Sequence, residues 1–207
     1  MTYVKEVFVS VDVEADGKIP GEFSMVSLGA VIAGTYDSNH VVTKFDLDDP
    51  ANCFRYDFKP ISDNWDAEAL AISGFDRQYF IDNGREPAEA MTEFANGISN
   101  AAKEHGTFDA PIFAGFPLGF DWMFTYWYLV KFSEIGSPFG FSRHLDIKTE
   151  FSSQFETMAS RASKRNMPKY LRSTRPHTHD PLDDAREQAD LAMNLLGNRS
   201  KSTFIIL

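Results

Sequence analysis

The stretch VFVSVDVEAD, residues 7 to 16, alternates between two kinds of side chain. Valine occupies every second position, so four valines share one face if the stretch forms a β-strand. The opposite face carries Asp12 and Glu14, which are two residues apart and therefore point the same way. Their Cα atoms would lie roughly 6.5–7 Å apart. The pattern predicts a core strand with two neighbouring carboxylates on its other face.

Two carboxylates on a core strand are unfavourable unless something offsets their charge. Burial disfavours the charged forms, and the two groups also repel each other. A hard divalent cation would offset this cost, because Mg²⁺ binds carboxylate oxygens together with substrate phosphate. Alternatively, the strand lies at an edge and its polar face meets solvent. For an isolated D-x-E motif this second explanation is the default.

Further elements follow along the chain, and together they predict an α/β fold with a mixed sheet. Apolar and β-branched runs predict strands at about residues 25–33, 41–47 and 110–116. Apolar residues at helical spacing predict helices at about residues 87–106, 120–132 and 181–196. Asp180 is the expected N-cap of the last helix, because Pro181 follows it at the first helical position.

The net charge of −10 argues against a protein that holds nucleic acid by bulk electrostatics. One segment differs, since six Lys and Arg residues and no acidic residue lie between Ser160 and Pro176. The single cysteine, Cys53, excludes an intrachain disulfide and a Cys-based zinc cluster. With no apparent membrane span or signal peptide, a single domain over residues 1–207 in the cytoplasm is the simplest prediction.

Two more segments could add ligands to the D-x-E pair. Asp121 lies where a short strand passes through a loop into an aromatic helix, a junction at which α/β sheets bind ligands. On its own, Asp121 is equally a first-turn acid that complements the helix dipole. The segment HDPLDDA has His179 five residues before Asp184. A histidine beside carboxylates can activate water, although a lone histidine is more often a surface residue and paired aspartates often cap helices.

Together these motifs resemble the DEDDh-type 3′→5′ exonucleases, the family of RNase T, oligoribonuclease and the proofreading subunit of bacterial DNA polymerase III. The motifs stand in the family's order over about residues 7–196. SMVSLGAVI is similar to the family's second strand, and KPISDNWDAEALAISGFDRQYF and HLDIKTEF are similar to two further segments. The resemblance implies a ribonuclease H-like fold, in which three antiparallel strands begin a mixed central sheet flanked by helices.

The resemblance also implies an activity and the residues that perform it. The family's metal-binding carboxylates and general base correspond to Asp12, Glu14, Asp121, Asp184 and His179. They would hold two Mg²⁺ or Mn²⁺ ions and release nucleoside 5′-monophosphates from the 3′ end of single-stranded RNA or DNA. His177 is a rival base, but only His179 has the five-residue offset. Asp180 stands where a sister subgroup has Tyr.

Substrate contacts are predicted in two regions. Phe23, Ser24, Phe120 and Trp122 lie in or beside the motif loops, where aromatic rings could stack on bases. Core packing is the alternative for the aromatic residues beside the helix. Arg165, Lys169 and Arg172 could contact the substrate backbone, or belong to a solvated loop. Both motif loops depart from the family's usual sequences, at Ala15-Asp16-Gly17 and at residues 115–119.

Two other functions compete with an active exonuclease. One is a non-catalytic module that binds nucleic acid or nucleotides on the same fold. The other is a metal-dependent phosphodiesterase with an unrelated arrangement, which would cleave at internal positions. The enzyme is favoured because all five catalytic positions are filled. A homodimer is left open, and a single sequence does not choose between RNA and DNA, because that choice depends on 2′-hydroxyl contacts.

Overall fold

Six β-strands form one mixed sheet in the computed structural model, which describes residues 4–107 and 109–199. The strands are β1 (Lys5–Ala15), β2 (Met25–Asp37), β3 (Val42–Lys44), β4 (Cys53–Asp57), β5 (Ile112–Gly115) and β6 (His144–Asp146). The helices are α1 (Ala67–Ser73), α2 (Arg77–Asn83), α3 (Pro87–Glu104), α4 (Leu118–Phe132), α5 (Ile147–Gln154) and α6 (Pro181–Arg199). The ends of the predicted domain, residues 1–3 and 200–207, lie outside the described residues.

The sheet has the order β3-β2-β1-β5-β6, and β4 also pairs with β2. Pairing is antiparallel between β1 and β2 and between β2 and both β3 and β4. Strand β5 runs parallel to both β1 and β6. The predicted fold class, a mixed α/β sheet of ribonuclease H type that begins with antiparallel strands, is confirmed.

The predicted strand over residues 41–47 is shorter in the structure, and the partner of β2 is divided in two. Strand β3 ends at Lys44, and β4 resumes pairing with β2 at Cys53. Between them the Asp46 carboxylate accepts the N–H of Asp48 at 3.0 Å, and Asp49 accepts the N–H of Ala51 at 2.9 Å. Aspartates that bond to nearby backbone in this way form turns rather than strands.

The two faces of β1 pack against different helices. Its valines are buried in a core shared with α3 and α4, through residues such as Phe94 and Phe124. On the other face Phe8 packs against α6, through Ala185 and Ala189. Helices therefore flank the sheet on both sides. The face of β1 that carries Asp12 and Glu14 is the one that meets α6.

Gly29 allows the start of α6 to lie directly on the sheet. It is paired with Asp12 across β1 and β2. A Cβ atom at Gly29 would lie 2.2 Å from the backbone carbonyl carbon of Pro181 and 2.3 Å from the backbone nitrogen of Leu182. Any side chain there would push the first turn of α6 away from Asp12, so the glycine sets the distance between these two elements.

The three predicted long helices are confirmed, although α4 begins at Leu118 and α6 extends to Arg199. Helix α3 begins at Pro87, and Gly106 follows its end with a φ of +83°, which favours glycine. Asp180 caps α6, because its Oδ1 accepts the N–H of Leu182 at 3.0 Å and of Asp183 at 3.3 Å. Within residues 4–107 and 109–199, no helix is long and apolar enough to cross a membrane.

Candidate active site

Four carboxylates from three distant parts of the chain converge beside the C-terminal ends of β1 and β5. Asp12 and Glu14 come from β1, Asp121 from the first turn of α4, and Asp184 from the first turn of α6. Carboxylate oxygens of Asp12, Glu14 and Asp184 all lie within 4.8 Å of one another. The Oδ1 atom of Asp121 accepts the backbone N–H of Val13 at 3.2 Å, which links α4 to β1.

Burial and mutual repulsion raise the pKa of three of these carboxylates. Burial, with repulsion from Asp121, Glu14 and Asp184, holds the pKa of Asp12 well above its ordinary value. The same causes raise the pKa of Glu14 to about 7, through burial and repulsion from Asp184 and Asp180. The pKa of Asp121 is also raised, mainly by burial. Together the carboxylates form an oxygen-rich site in which burial and mutual repulsion disfavour the charged forms, and this donor set suits Mg²⁺ or Mn²⁺.

Asp184 does more than contribute an oxygen to this group. It is almost fully buried, and its Oδ1 and Oδ2 accept the backbone N–H groups of Thr178 at 3.0 Å and His179 at 3.2 Å. These bonds close the five-residue loop from His179 to Asp184. His179 has a φ of +60°, a backbone conformation that costs of order 1–3 kcal/mol for a non-glycine residue. The spacing seen in the sequence therefore reflects a turn that Asp184 holds together.

Two histidines flank the carboxylates, and they face different partners. The Nδ1 atom of His179 lies 3.9 Å from Oε1 of Glu14. The Nδ1 atom of His177 lies 3.0 Å from Oδ2 of Asp184 and 3.5 Å from Oε2 of Glu187. The two imidazole rings are 4.7 Å apart in an edge-to-face arrangement. The five-residue offset favours His179, yet the structure brings both histidines to the site.

Two residues at the site had not been predicted from the sequence. Gln188 donates from Nε2 to Oδ1 of Asp12 at 2.5 Å. It lies one helical turn after Asp184, so the i, i+4 spacing could have found it. Lys164 donates to Glu187 at 2.5 Å and lies 5.7 Å from the centre of the Phe116 ring. No local pattern marks Lys164, because a loop folded in three dimensions brings it there.

The predicted aromatic contacts have different surroundings. Phe120 is 39% exposed and borders a cavity of about 470 Å³ that is also lined by Glu14, Lys18 and Asp66. Phe23 packs on Gly17, where a Cβ atom would lie 2.1 Å from its ring. Trp122 packs against the core, stacked on Tyr126 with ring centres 4.7 Å apart. Phe120 is therefore the aromatic side chain best placed to meet a ligand.

Ser24 belongs to a buried network at the first loop that departs from the family's sequence. Its hydroxyl accepts the N–H of Ile61 at 3.0 Å, and its own N–H donates to Asp16 at 2.6 Å. Asp16 is fully buried and pairs with Nε of Arg77 at 2.9 Å. This geometry favours a structural role for Ser24, and a contact with substrate stays a prediction.

The basic segment is anchored to the protein rather than wholly solvated. Ala162, Met167 and Leu171 are buried in a cluster with α5 and α6. Arg172 donates to the backbone carbonyls of Met167 at 2.7 Å and Arg165 at 2.6 Å, so its guanidinium supports the fold of the segment. The side chains of Arg165 and Lys169 are exposed. As substrate contacts, all three basic residues remain predictions.

Comparison with known proteins finds a curated relative and solved structures that share the fold. A scan against models of protein families finds no match. Among curated proteins, the chain is 33% identical over 188 residues to the 3′-5′ DNA exonuclease Cap18 of Escherichia coli, an alignment that covers 90% of each.

Solved structures with low sequence identity share the fold. The nuclease domain of 3′hExo, a DEDDh family member bound to rAMP, has a TM-score of 0.64 and 16% identity, with 93% of this chain and 92% of that one covered. E. coli exonuclease I in complex with a dT13 oligonucleotide has a TM-score of 0.65 and 14% identity. That match covers 95% of this chain and 42% of exonuclease I, so the chain spans less than half of that enzyme.

Proposed function

The chain belongs to the DEDDh-type family of 3′→5′ exonucleases, and from that premise we propose which residues perform the reaction and on what substrate. Asp12, Glu14, Asp121 and Asp184 hold two divalent cations, and His179 is the general base. The observation that carries this proposal is the convergence of four carboxylates from β1, α4 and α6, three of them with raised pKa values. Such a group is electrostatically unfavourable without cations.

The proposed substrate is the 3′ end of single-stranded nucleic acid, with DNA ahead of RNA. The curated relative is named a DNA exonuclease, whereas the fold neighbours include both a DNA-bound and an rAMP-bound enzyme and do not separate the two substrates. The cavity beside Glu14 and Phe120 is open to solvent next to the carboxylates and offers an aromatic face for a base. A homodimer stays a prediction that sedimentation would test.

The residues of the site suit metal-assisted hydrolysis of a phosphodiester. Two divalent cations, when bound, would activate water and stabilise charge on the phosphate and on the leaving oxygen. The imidazole of His179 can accept the proton of the attacking water. Asp184 holds the backbone of His179 by a 3.2 Å hydrogen bond, and Gln188 orients the carboxylate of Asp12.

A labelled-oligonucleotide assay tests the proposal. The protein is incubated with matched 5′-labelled single-stranded DNA and RNA, with Mg²⁺, Mn²⁺ or EDTA. Stepwise shortening from the 3′ end, stopped by EDTA and abolished in Asp12→Ala, is the expected result. Binding without shortening would indicate a non-catalytic module, and internal cleavage would indicate an unrelated arrangement. The comparison of DNA with RNA also decides the substrate.

Added Mg²⁺ or Mn²⁺ is expected to raise the Tm more at pH 8 than at pH 5.5. The pKa of Glu14 is raised from 4.5 to about 7, so between these values the folded protein binds more protons than the unfolded one. The contribution of Glu14 to the free energy of unfolding is therefore fully present below about pH 4.5, and it is lost as the pH rises through about 7. A cation that neutralises the site restores this stability. Thermal unfolding followed by circular dichroism measures the gain.

Glu14→Gln gives the matching control for this pH dependence. Without metal at pH 8, this variant should be more stable than the wild type by up to about 3 kcal/mol, because it removes one carboxylate from the group. It should also gain less Tm from the cation. Glu134→Gln, at an exposed position, should behave like the wild type. Equal metal-induced shifts at both pH values would contradict a shared charged site.

The basic segment is expected to contribute to substrate binding through Arg165 and Lys169. Replacing both with Gln should weaken binding of a single-stranded oligonucleotide and lower the slope of log K against log salt by about 1.4, since each phosphate contact contributes about 0.7. Binding across a salt series measures the slope. Exposed Lys103 and Lys131 provide a matched double variant. Equal slopes in the wild type and Arg165→Gln/Lys169→Gln would assign the segment a structural role.

A further inference from the structure

A second set of ligand atoms lies at the rim of the carboxylate group. Ring nitrogens of His177 and His179 and a carboxylate oxygen of Asp184 all lie within 4.8 Å of one another. His177 is half exposed and has no part in the hydrolysis proposed above. Its Nδ1 atom nevertheless points to Asp184 at 3.0 Å, with Glu187 at 3.5 Å.

The chemistry of this set differs from that of the four carboxylates. Two imidazoles and a carboxylate are ligands that suit Zn²⁺, which takes nitrogen and oxygen donors in tetrahedral sites. Mg²⁺ prefers oxygen ligands in octahedral geometry and retains water, so it has little affinity for a site with two imidazoles. The set formed by His177, His179 and Asp184, which we call the rim, can therefore bind Zn²⁺ selectively. The four carboxylates bind a hard cation such as Mg²⁺.

The rim is preorganised by the fold. Asp184 accepts the backbone N–H groups of Thr178 and His179, which fixes the turn that carries both histidines. Helix α6 holds Glu187 less than one turn after Asp184, on the side that faces His177. Glu187 is in turn bonded to Lys164 at 2.5 Å, a second interaction of the kind that orients ligand groups around metals.

We propose that Zn²⁺ binds at His177, His179 and Asp184 and inhibits the exonuclease. Inhibition follows because the ion would engage the lone pair of the general base and one carboxylate of the Mg²⁺ site at the same time. This inference rests on the proposed function for the roles of His179 and Asp184. The binding site itself depends only on the three side chains.

Direct binding tests the site without any need for activity. Zn²⁺ is titrated against a chromophoric chelator in excess Mg²⁺, for the wild-type protein and for His177→Gln. The wild type should bind one Zn²⁺, and His177→Gln should bind it about tenfold or more weakly. His40→Gln, a matched change at an exposed histidine between β2 and β3, should bind like the wild type. Equal Zn²⁺ affinity in the wild type and His177→Gln would overturn the site.

Inhibition is then measured for each variant relative to its own activity without Zn²⁺. The Zn²⁺ concentration for half-inhibition should rise about tenfold in His177→Gln, in step with the loss of binding. Equal inhibition of the wild type and His177→Gln would overturn the proposal, because Zn²⁺ would then act at the carboxylates alone. If the protein shows no exonuclease activity, the proposed function and its inhibition by Zn²⁺ are both refuted. If that protein still binds Zn²⁺ through His177, the Zn²⁺ site itself stands.

Discussion

Asp184→Asn is expected to lower exonuclease turnover by about three orders of magnitude. The substitution removes the negative charge with which residue 184 would bind a cation. A bound cation stabilises the charge of the transition state by several kcal/mol, which corresponds to about a thousandfold or more in rate. Asp183→Asn is the matched control, because Asp183 is the adjacent residue of the same helical turn but bonds outward to Arg186 at 3.0 Å. This control should retain near-normal turnover in the labelled-oligonucleotide assay.

Two further measurements separate metal binding from helix capping. Both aspartates lie in the first turn of α6, so neutralising either one would remove a similar favourable interaction with the helix dipole. Asp184→Asn should also lose most of the Tm gain from Mg²⁺, whereas Asp183→Asn should keep it. Circular dichroism without metal checks that both variants fold. Equal losses of activity in the two variants would favour the capping role and contradict metal binding by Asp184.

Local signals in the sequence were sufficient for the elements that carry the site. The alternation around Asp12 predicts β1 because period-two patterning determines which side chains face the core. Likewise, Asp180 and Pro181 predict the start of α6, since capping depends only on neighbouring backbone groups. The division between β3 and β4 could also have been predicted, because Asp46, Asp49 and Pro50 are strong turn residues.

Contacts between distant segments could not be predicted in the same way. Lys164 reaches Glu187 only because Ala162, Met167 and Leu171 anchor the basic segment in the core near α6. The sequence showed a run of basic residues, but did not show that one of them contacts the site while others bond to backbone. Packing between segments that are distant in the sequence determines which residues Lys164 and its neighbours contact. The periodicity of a single sequence does not reveal such contacts.

The turn before α6 was predicted only in part. The offset between His179 and Asp184 indicated a histidine close to the carboxylates. It did not indicate that Asp184 would also lie 3.0 Å from His177, on a turn in which His179 has a left-handed backbone. Strained residues of this kind cluster at functional sites, and they are a feature that only coordinates reveal.

His179→Asn is expected to reduce turnover by about 10²- to 10⁴-fold, the usual contribution of a general base. Asparagine tolerates a positive φ, so the turn and the hydrogen bond from residue 179 to Asp184 should persist. The Tm gain from Mg²⁺ should remain in this variant, because the four carboxylates are unchanged. His177→Asn should cause the smaller loss of turnover in the labelled-oligonucleotide assay. If His177→Asn instead causes the larger loss, the histidine nearer to Asp184 is the base, and the five-residue offset is not what selects it.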